Sequence, residues 1–200
     1  IGGAKVSDKM KVIEKLLDRC DQLIIGGGMG YTFMKSQGDE IGNSLCEDEY
    51  LDIAKEWFAT GKIILPSDWV VADDINSTDT LLVSEILTSQ SGFDIGPSSV
   101  KTFTEIINNA NTILWNGPMG VFEKEQFASG TEDIGNLVAH AKAYTVVGGG
   151  DSVFAIRQMQ LEEYIDHVST GGGATLEYIE QGTLVGVQAL LDANNYRRKI

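Results

Sequence analysis

Short apolar runs alternate along this chain with longer stretches whose apolar residues recur at helical spacing. After an opening GGAKVSDK, the residues Val12, Ile13, Leu16, Leu17 and Cys20 predict an amphipathic helix. Leu23–Ile25 reads as a short buried strand, and an apolar helix follows around Tyr31–Met34. Ser44 with Glu47 has the spacing of a capping box, ahead of a helix that turns Tyr50, Ile53, Ala54, Trp57 and Phe58 inward and stops at Gly61. Lys62–Leu65 and Trp69–Ala72 are further extended segments, and a short strand is expected near Leu81–Val83 within the polar stretch 73–91. Gly96-Pro97 precedes a helix carrying Val100, Phe103, Ile106 and Ile107. Thr112–Trp115 is a strand, Ser129 with Glu132 a second capping box, and Ile134, Leu137, Val138 and Ala141 line the helix behind it. Tyr144–Val147 and Ile165–Ser169 complete the strands, each running into glycines and a helix.

Strands alternating with amphipathic helices predict βαβ units. The expected architecture is α/β: a doubly wound, mostly parallel sheet with helices on both faces, a Rossmann-like three-layer domain. Glycine clusters follow strand candidates at Gly26–Gly28, Gly117–Gly120, Gly148–Gly150 and Gly171–Gly173. A fifth, Gly2-Gly3, has only Ile1 before it, so the strand leading into it is expected to be missing and the chain to be a fragment. In a parallel sheet such turns gather at the carboxyl ends of the strands, where ligands bind. Glycine permits close backbone approach and positive φ, and a helix start behind it offers free N–H groups to an anion. One such turn is more simply a strand-to-helix connection; five point to a phosphate-binding rim.

Charge narrows the ligand. With 15 basic and 29 acidic residues the formal charge is −14, which argues against a nucleic-acid surface but not against a nucleotide. Cys20 and Cys46 fit neither a disulfide framework nor a metal-ligand spacing, and no apolar run reaches membrane-spanning length. A cytoplasmic protein without a membrane partner is expected. Several familiar sites are missing. There is no GxxxxGK[ST] and no GxSxG, and Tyr31, Val153 and Leu176 occupy the third-glycine positions of the nearest GxGxxG candidates. His140 and His167 stand alone and read as structural.

What remains is Lys5 and Lys9, Asn116 and Glu123, Asp151 and Ser152, and the glycine N–H groups. Lys5 and Lys9 are four apart and would share one face of a helix. This set suits a magnesium-bound nucleoside polyphosphate: lysines neutralise phosphate, Asp151 holds the metal, and Glu123 accepts from two ribose hydroxyls. No general base stands out. Phosphoryl transfer to or from a carboxylate needs none, because the acceptor is already ionised at neutral pH.

Six ordered segments then resemble one family: GGAKVSDK (Gly2–Lys9), IIGGGMGYTF (Ile24–Phe33), DIGP (Asp94–Pro97), WNGPMGVFE (Trp115–Glu123), GGGDS (Gly148–Ser152) and HVSTGGGATLE (His167–Glu177). They look like the carboxyl-terminal, nucleotide-binding half of phosphoglycerate kinase, over the chain up to about Leu190. The resemblance implies reversible phosphoryl transfer from 1,3-bisphosphoglycerate to ADP in glycolysis, with Mg2+ accompanying ADP or ATP. Residues 1–190 would be the nucleotide-binding domain and 191–200 a tail, with Arg197-Arg198-Lys199 a frayed basic end. By the same resemblance, Lys5 contacts the transferring phosphoryl group, Lys9 the nucleotide phosphates, and Gly171–Gly173, Gly172 among them, the transferred phosphoryl. Gly27 and Gly92 would pack against adenine, and Asn116 and Glu123 would bind the nucleotide and its ribose. Gly149, Gly150 and Ser152 would form the phosphate turn, with Asp151 on the metal. Ser152 stands where threonine is usual, and Gln181 and Val185 depart from the family's ending. The family's other domain, which holds phosphoglycerate, has no counterpart here; a monomer, inactive without that domain, is expected.

Overall fold

The apolar runs become strands and the helical-period stretches helices in a computed structural model that describes residues 1–197. In chain order the elements are α1 (Met10–Arg19), β1 (Leu23–Ile24), α2 (Met29–Gln37), α3 (Leu51–Phe58), β2 (Ile63–Ile64), β3 (Trp69–Ala72), β4 (Leu81–Val83) and β5 (Ser91–Ile95). Then come α4 (Pro97–Asn109), β6 (Thr112–Trp115), α5 (Ser129–Ala139), β7 (Tyr144–Gly148), α6 (Gly150–Gln158), β8 (His167–Ser169), α7 (Gly172–Gln181) and α8 (Val185–Arg197). The α/β class is as expected.

β1 pairs with β2 in parallel, and β6, β7 and β8 form a second parallel sheet in that order. Residues 1–3 stitch the two together. On one side Ile1 N donates to Ile24 O at 2.8 Å and Gly26 N to Ile1 O at 3.0 Å. On the other, Gly2 N donates to Asn116 O at 2.9 Å and Gly3 N to Pro118 O at 3.0 Å. The turns after β1 and β6 are thereby held against the opening turn of the chain.

A third sheet, β4-β3-β5, is antiparallel and was not expected. Its strand β5, SGFDI, hides its period: Gly92, Asp94 and Ile95 are buried while Phe93 is only half-buried. A core centred on Trp69, Phe103, Trp115, Ile134, Val147 and Ile156 joins this sheet to β6–β7 and to helices α4, α5 and α6. A second cluster, including Ile13, Leu17, Ile25, Phe33, Trp57 and Ile63, seats α1, α2 and α3 on β1–β2.

Both expected capping boxes are replaced by longer-range partners. Ser44 Oγ accepts the N–H of Gly92 at 2.9 Å, and Glu47 accepts from Ser7 N and Ser7 Oγ at 3.0 and 2.6 Å; α3 begins only at Leu51. Ser129 makes no side-chain cap of α5; Asp94 Oδ2 takes the N–H of Gly130 at 2.7 Å instead. Likewise Asp68 caps α4, accepting from Ser98 N at 2.9 Å, Ser99 N at 2.7 Å and Ser99 Oγ at 2.6 Å. Two helices are thus started by buried acids that lie beside or within the antiparallel sheet, where an unpaired first turn would otherwise be costly.

The segment expected as a tail continues as helix to Arg197, as Ala189, Leu190, Leu191 and Ala193 favour. Arg198 and Lys199 of the expected basic end lie outside the described residues. Among the described residues, no helix is long and apolar enough to cross a membrane.

Candidate functional site

The five glycine turns meet at one end of the parallel sheets, in a continuous series of contacts. A Cβ on Gly117, at φ 99°, would lie 2.1 Å from Gly2 O; one on Gly27, at φ 67°, would lie 2.7 Å from Gly3 N and 2.8 Å from Pro118 O. A Cβ on Gly149, at φ 99°, would come within 2.9 Å of Asn116 Nδ2, and one on Gly148 within 3.2 Å of Thr175 Cγ2 in α7. The first three turns therefore need glycine for backbone packing. Gly150 and Gly173 differ, because a Cβ on either meets nothing within 4 Å. Their faces are open.

Two helices begin here side by side. Gly148 at the end of β7 pairs with Ser169 at the end of β8, and α6 and α7 start just beyond. The first main-chain bonds closing them run from Val153 N to Gly149 O at 3.0 Å and from Thr175 N to Gly171 O at 2.8 Å. The N–H groups ahead of these lack intrahelical partners and carry the positive end of each helix dipole. Gly172 opens α7.

Lys9 and Asn116 stand beside them. Lys9 Nζ donates to Asn116 Oδ1, and Asn116 Nδ2 donates to Gly148 O at 2.7 Å, so one fully buried amide couples the lysine to the end of β7. Burial lowers the Lys9 ammonium's pKa, partly countered by the charges of Asp151 and Asp8. Lys5 and Lys9 precede α1 rather than sharing a helix face. Lys5 is exposed and lies near Glu47, whereas Lys9 turns in to Asn116. Burial pushes the Glu47 carboxyl up, but the Ser7 hydroxyl and N–H outweigh it and leave it below its usual value.

Asp151 is exposed in the first turn of α6. Ser152 caps nothing; it is buried, and its Oγ accepts the N–H of Gly117 at 2.5 Å, tying α6 to the turn after β6. Glu123 is exposed at the far end of that loop. Gly92 is buried in β5, where a Cβ would lie 2.3 Å from Tyr31 Oη. It approaches the glycine turns through Ser44, whose neighbour Leu45 lies over Gly28. Thus Lys9, Asn116, Gly27, Gly149, Gly150, Asp151 and Ser152 come together, with Gly172 on the adjacent helix. Lys5 and Glu123 lie further along the loops that carry these turns, and Gly92 stands apart on β5 behind Ser44.

Among the described residues no three His, Cys, Asp or Glu side chains are grouped to hold a metal. Asp151 alone fits a magnesium ion that takes its remaining oxygens from phosphate and water. Sequence reading passed over Asp94, Thr131 and Ser7, whose partners are distant along the chain; DIGP was the only hint of Asp94.

A family model described as Phosphoglycerate kinase matches residues 1–182. The phosphoglycerate kinase of Salinispora arenicola is 49% identical over 196 residues, covering 95% of this chain and 49% of that protein. That of Clostridium botulinum is 46% identical over 200 residues, covering 96% and 50%. The chain thus spans about half the length of these curated relatives. The structure of phosphoglycerate kinase from Coxiella burnetii superposes with a TM-score of 0.91 at 41% identity, covering 96% of this chain and 52% of that one. The Pyrococcus horikoshii enzyme gives 0.81 at 31% identity, covering 96% and 50%.

Proposed function

This chain belongs to the phosphoglycerate kinase family, and on that premise we propose that residues 1–190 are the carboxyl-terminal, nucleotide-binding half of such an enzyme, with 191–200 as its tail. In this reading the half binds Mg-ADP or Mg-ATP and works with an amino-terminal domain that holds phosphoglycerate. Together they transfer a phosphoryl group reversibly between 1,3-bisphosphoglycerate and ADP, in cytoplasmic glycolysis.

The observation that carries the reading is the pair of adjacent helix starts, α6 and α7, flanked by the Lys9–Asn116–Gly148 connection. Open faces at Gly150 and Gly173 let a phosphate approach the N–H groups without meeting a side chain. Lys9 neutralises the nucleotide phosphates while Asn116 fixes its ammonium. Lys5 and the N–H groups from Gly172 onward face the phosphoryl group in transfer, where fixed donors act most strongly. Asp151 would hold magnesium, which supplies charge neutralisation across the phosphate oxygens. Glu123 receives the ribose hydroxyls, and Gly27 and Gly92 the adenine. No proton need move, since the acceptor carboxylate is ionised.

Calorimetric titration of this chain with Mg-ADP tests the reading: saturable one-site binding is expected, and absence of binding refutes it. A second reading is a nucleotide-binding module without turnover. Holding two substrates in line accounts for roughly 7–11 kcal/mol of a barrier, and this chain supplies one side of the pair.

A further inference from the structure

The loop from Asn116 to Glu123 joins the two ends of the proposed nucleotide site, and its middle rests on a buried acid. Asp94, 1% exposed, accepts from Gly130 N at 2.7 Å through Oδ2 and from Ile95 N at 2.9 Å through Oδ1. A Cβ on Gly120 would lie 2.1 Å from Asp94 Oδ1, and one on Gly130 2.4 Å from the same oxygen. The carboxylate therefore fills the space between the loop and the first turn of α5. Thr131, one residue further along α5, accepts from Met119 N at 3.0 Å and Gly120 N at 3.3 Å. Val121 N donates to Phe93 O at 2.9 Å, so β5 grips the loop from the other side.

We propose that Asp94 and Thr131 are positioning residues for nucleotide recognition: they set the path of the loop between Asn116, which is tied to the phosphate end, and Glu123 at the ribose end. This rests on the nucleotide reading above. Neither side chain needs to touch the ligand. Asp94 packs Gly120 against the start of α5, and Thr131 pins the two N–H groups at the loop's middle. Loss of either leaves Lys9, Gly150 and Asp151 on their own elements but frees Glu123 to move relative to them. Replacing Asp94 or Thr131 is therefore expected to remove discrimination at the ribose while sparing the phosphate end. A merely structural role would weaken both ends together.

The test compares binding of Mg-ADP, Mg-2′,3′-dideoxy-ADP and magnesium pyrophosphate to the 200-residue chain, its Asp94→Asn, Thr131→Val and Thr131→Ser variants, and Glu123→Ala. Hydrogen bonds from two hydroxyls to a carboxylate correspond to roughly 10- to 100-fold preference for ADP over the dideoxy analogue. Asp94→Asn and Thr131→Val are expected to bring that preference to within about 3-fold of the Glu123→Ala value, while pyrophosphate affinity stays within about 3-fold of the parent chain. Thr131→Ser, which keeps the hydroxyl, retains the preference. If Asp94→Asn does not fold, Thr131→Val decides. An unchanged preference, or parallel loss for all three ligands, overturns the positioning role alone. A parent chain that binds no Mg-ADP overturns the nucleotide reading and this proposal with it.

Discussion

Raising the pH from 5 to 8 is expected to weaken the fold through one carboxylate. Burial pushes Asp94 up from 3.8 to about 7, against two backbone N–H donors and with the nearby charges of Asp133 and Glu132 adding to the rise. The buried Tyr31 phenol also faces it and is itself raised, by burial and then by the charge of Asp94. A group raised on folding holds its proton more tightly in the native state. Its stabilisation is complete below the unfolded value, near 4, and is lost as pH climbs through the folded value. Over the full window the loss amounts to about 4 kcal/mol, most of it between pH 5 and 8, where it is about 2–3 kcal/mol.

Urea unfolding followed by the fluorescence of the buried Trp69 and Trp115, at half-unit pH steps, measures this. Asp94→Asn supplies the reference. It lacks the titration but loses one acceptor, an offset of about 1–3 kcal/mol that does not depend on pH. Other titrating groups contribute alike to both proteins, so the stability difference between parent and variant isolates the Asp94 contribution. That difference should shrink by about 2–3 kcal/mol from pH 5 to 8. A difference constant to within about 0.5 kcal/mol across the range would refute the account.

Further outcomes are expected. Asp68→Ala should cost about 2–3 kcal/mol in urea unfolding at pH 7, since three donors to α4's cap lose their acceptor. Burial raises the Asp68 pKa, but the Ser99 hydroxyl and two N–H groups outweigh it and leave the value lowered, so its stabilisation is present at neutral pH and lost on acidification below about pH 4. Gly149→Ala should cost about 1–3 kcal/mol and weaken Mg-ADP binding, because its φ of 99° and the nearby Asn116 amide both oppose a side chain. Asp151→Ala should weaken calorimetric binding of Mg-ADP much more than of metal-free ADP; equal losses would remove its metal role. The chain alone should show no turnover in a coupled assay of ATP formation, and in a complete enzyme Lys5→Ala should lower kcat far more than nucleotide affinity.

The α/β class was legible because it depends on periodicity, and periodicity survives in a single sequence. β6 and β7 are apolar runs that lead into glycines, and α1 and α4 carry apolar residues at helical spacing. The antiparallel sheet was not legible for the converse reason. Gly92 and Asp94 occupy buried positions of β5, so its pattern denies the strand that it forms. The capping boxes failed through competition. Ser44 and Ser129 have the right local spacing, but Gly92 N reaches Ser44 and Asp94 reaches Gly130 from 48 and 36 residues away. A local motif states what a side chain can bind, not which partner arrives.

The same limit governs the glycine rim. From sequence, each cluster suggests close approach of something to the backbone, and phosphate is the natural candidate. In the structure that something is often another glycine turn: Gly2, Gly27 and Gly117 exclude side chains because their neighbours' main-chain atoms stand 2.0–2.8 Å from where a Cβ would be. Among the described glycines of these turns, Gly150 and Gly173 combine a helix start with empty space. Five turns thus do two jobs, three building a tightly stitched floor and two presenting N–H groups above it. Lys9 and Asn116 connect the levels, since the lysine comes from the floor's first loop and the amide bonds to Gly148 at the base of α6. The geometry at the helix starts consequently depends on residues 1–9 being seated. A substitution at Gly2, which has no ligand role and packs on Gly117 and Pro118, would disturb the same nitrogen positions as one at Gly149.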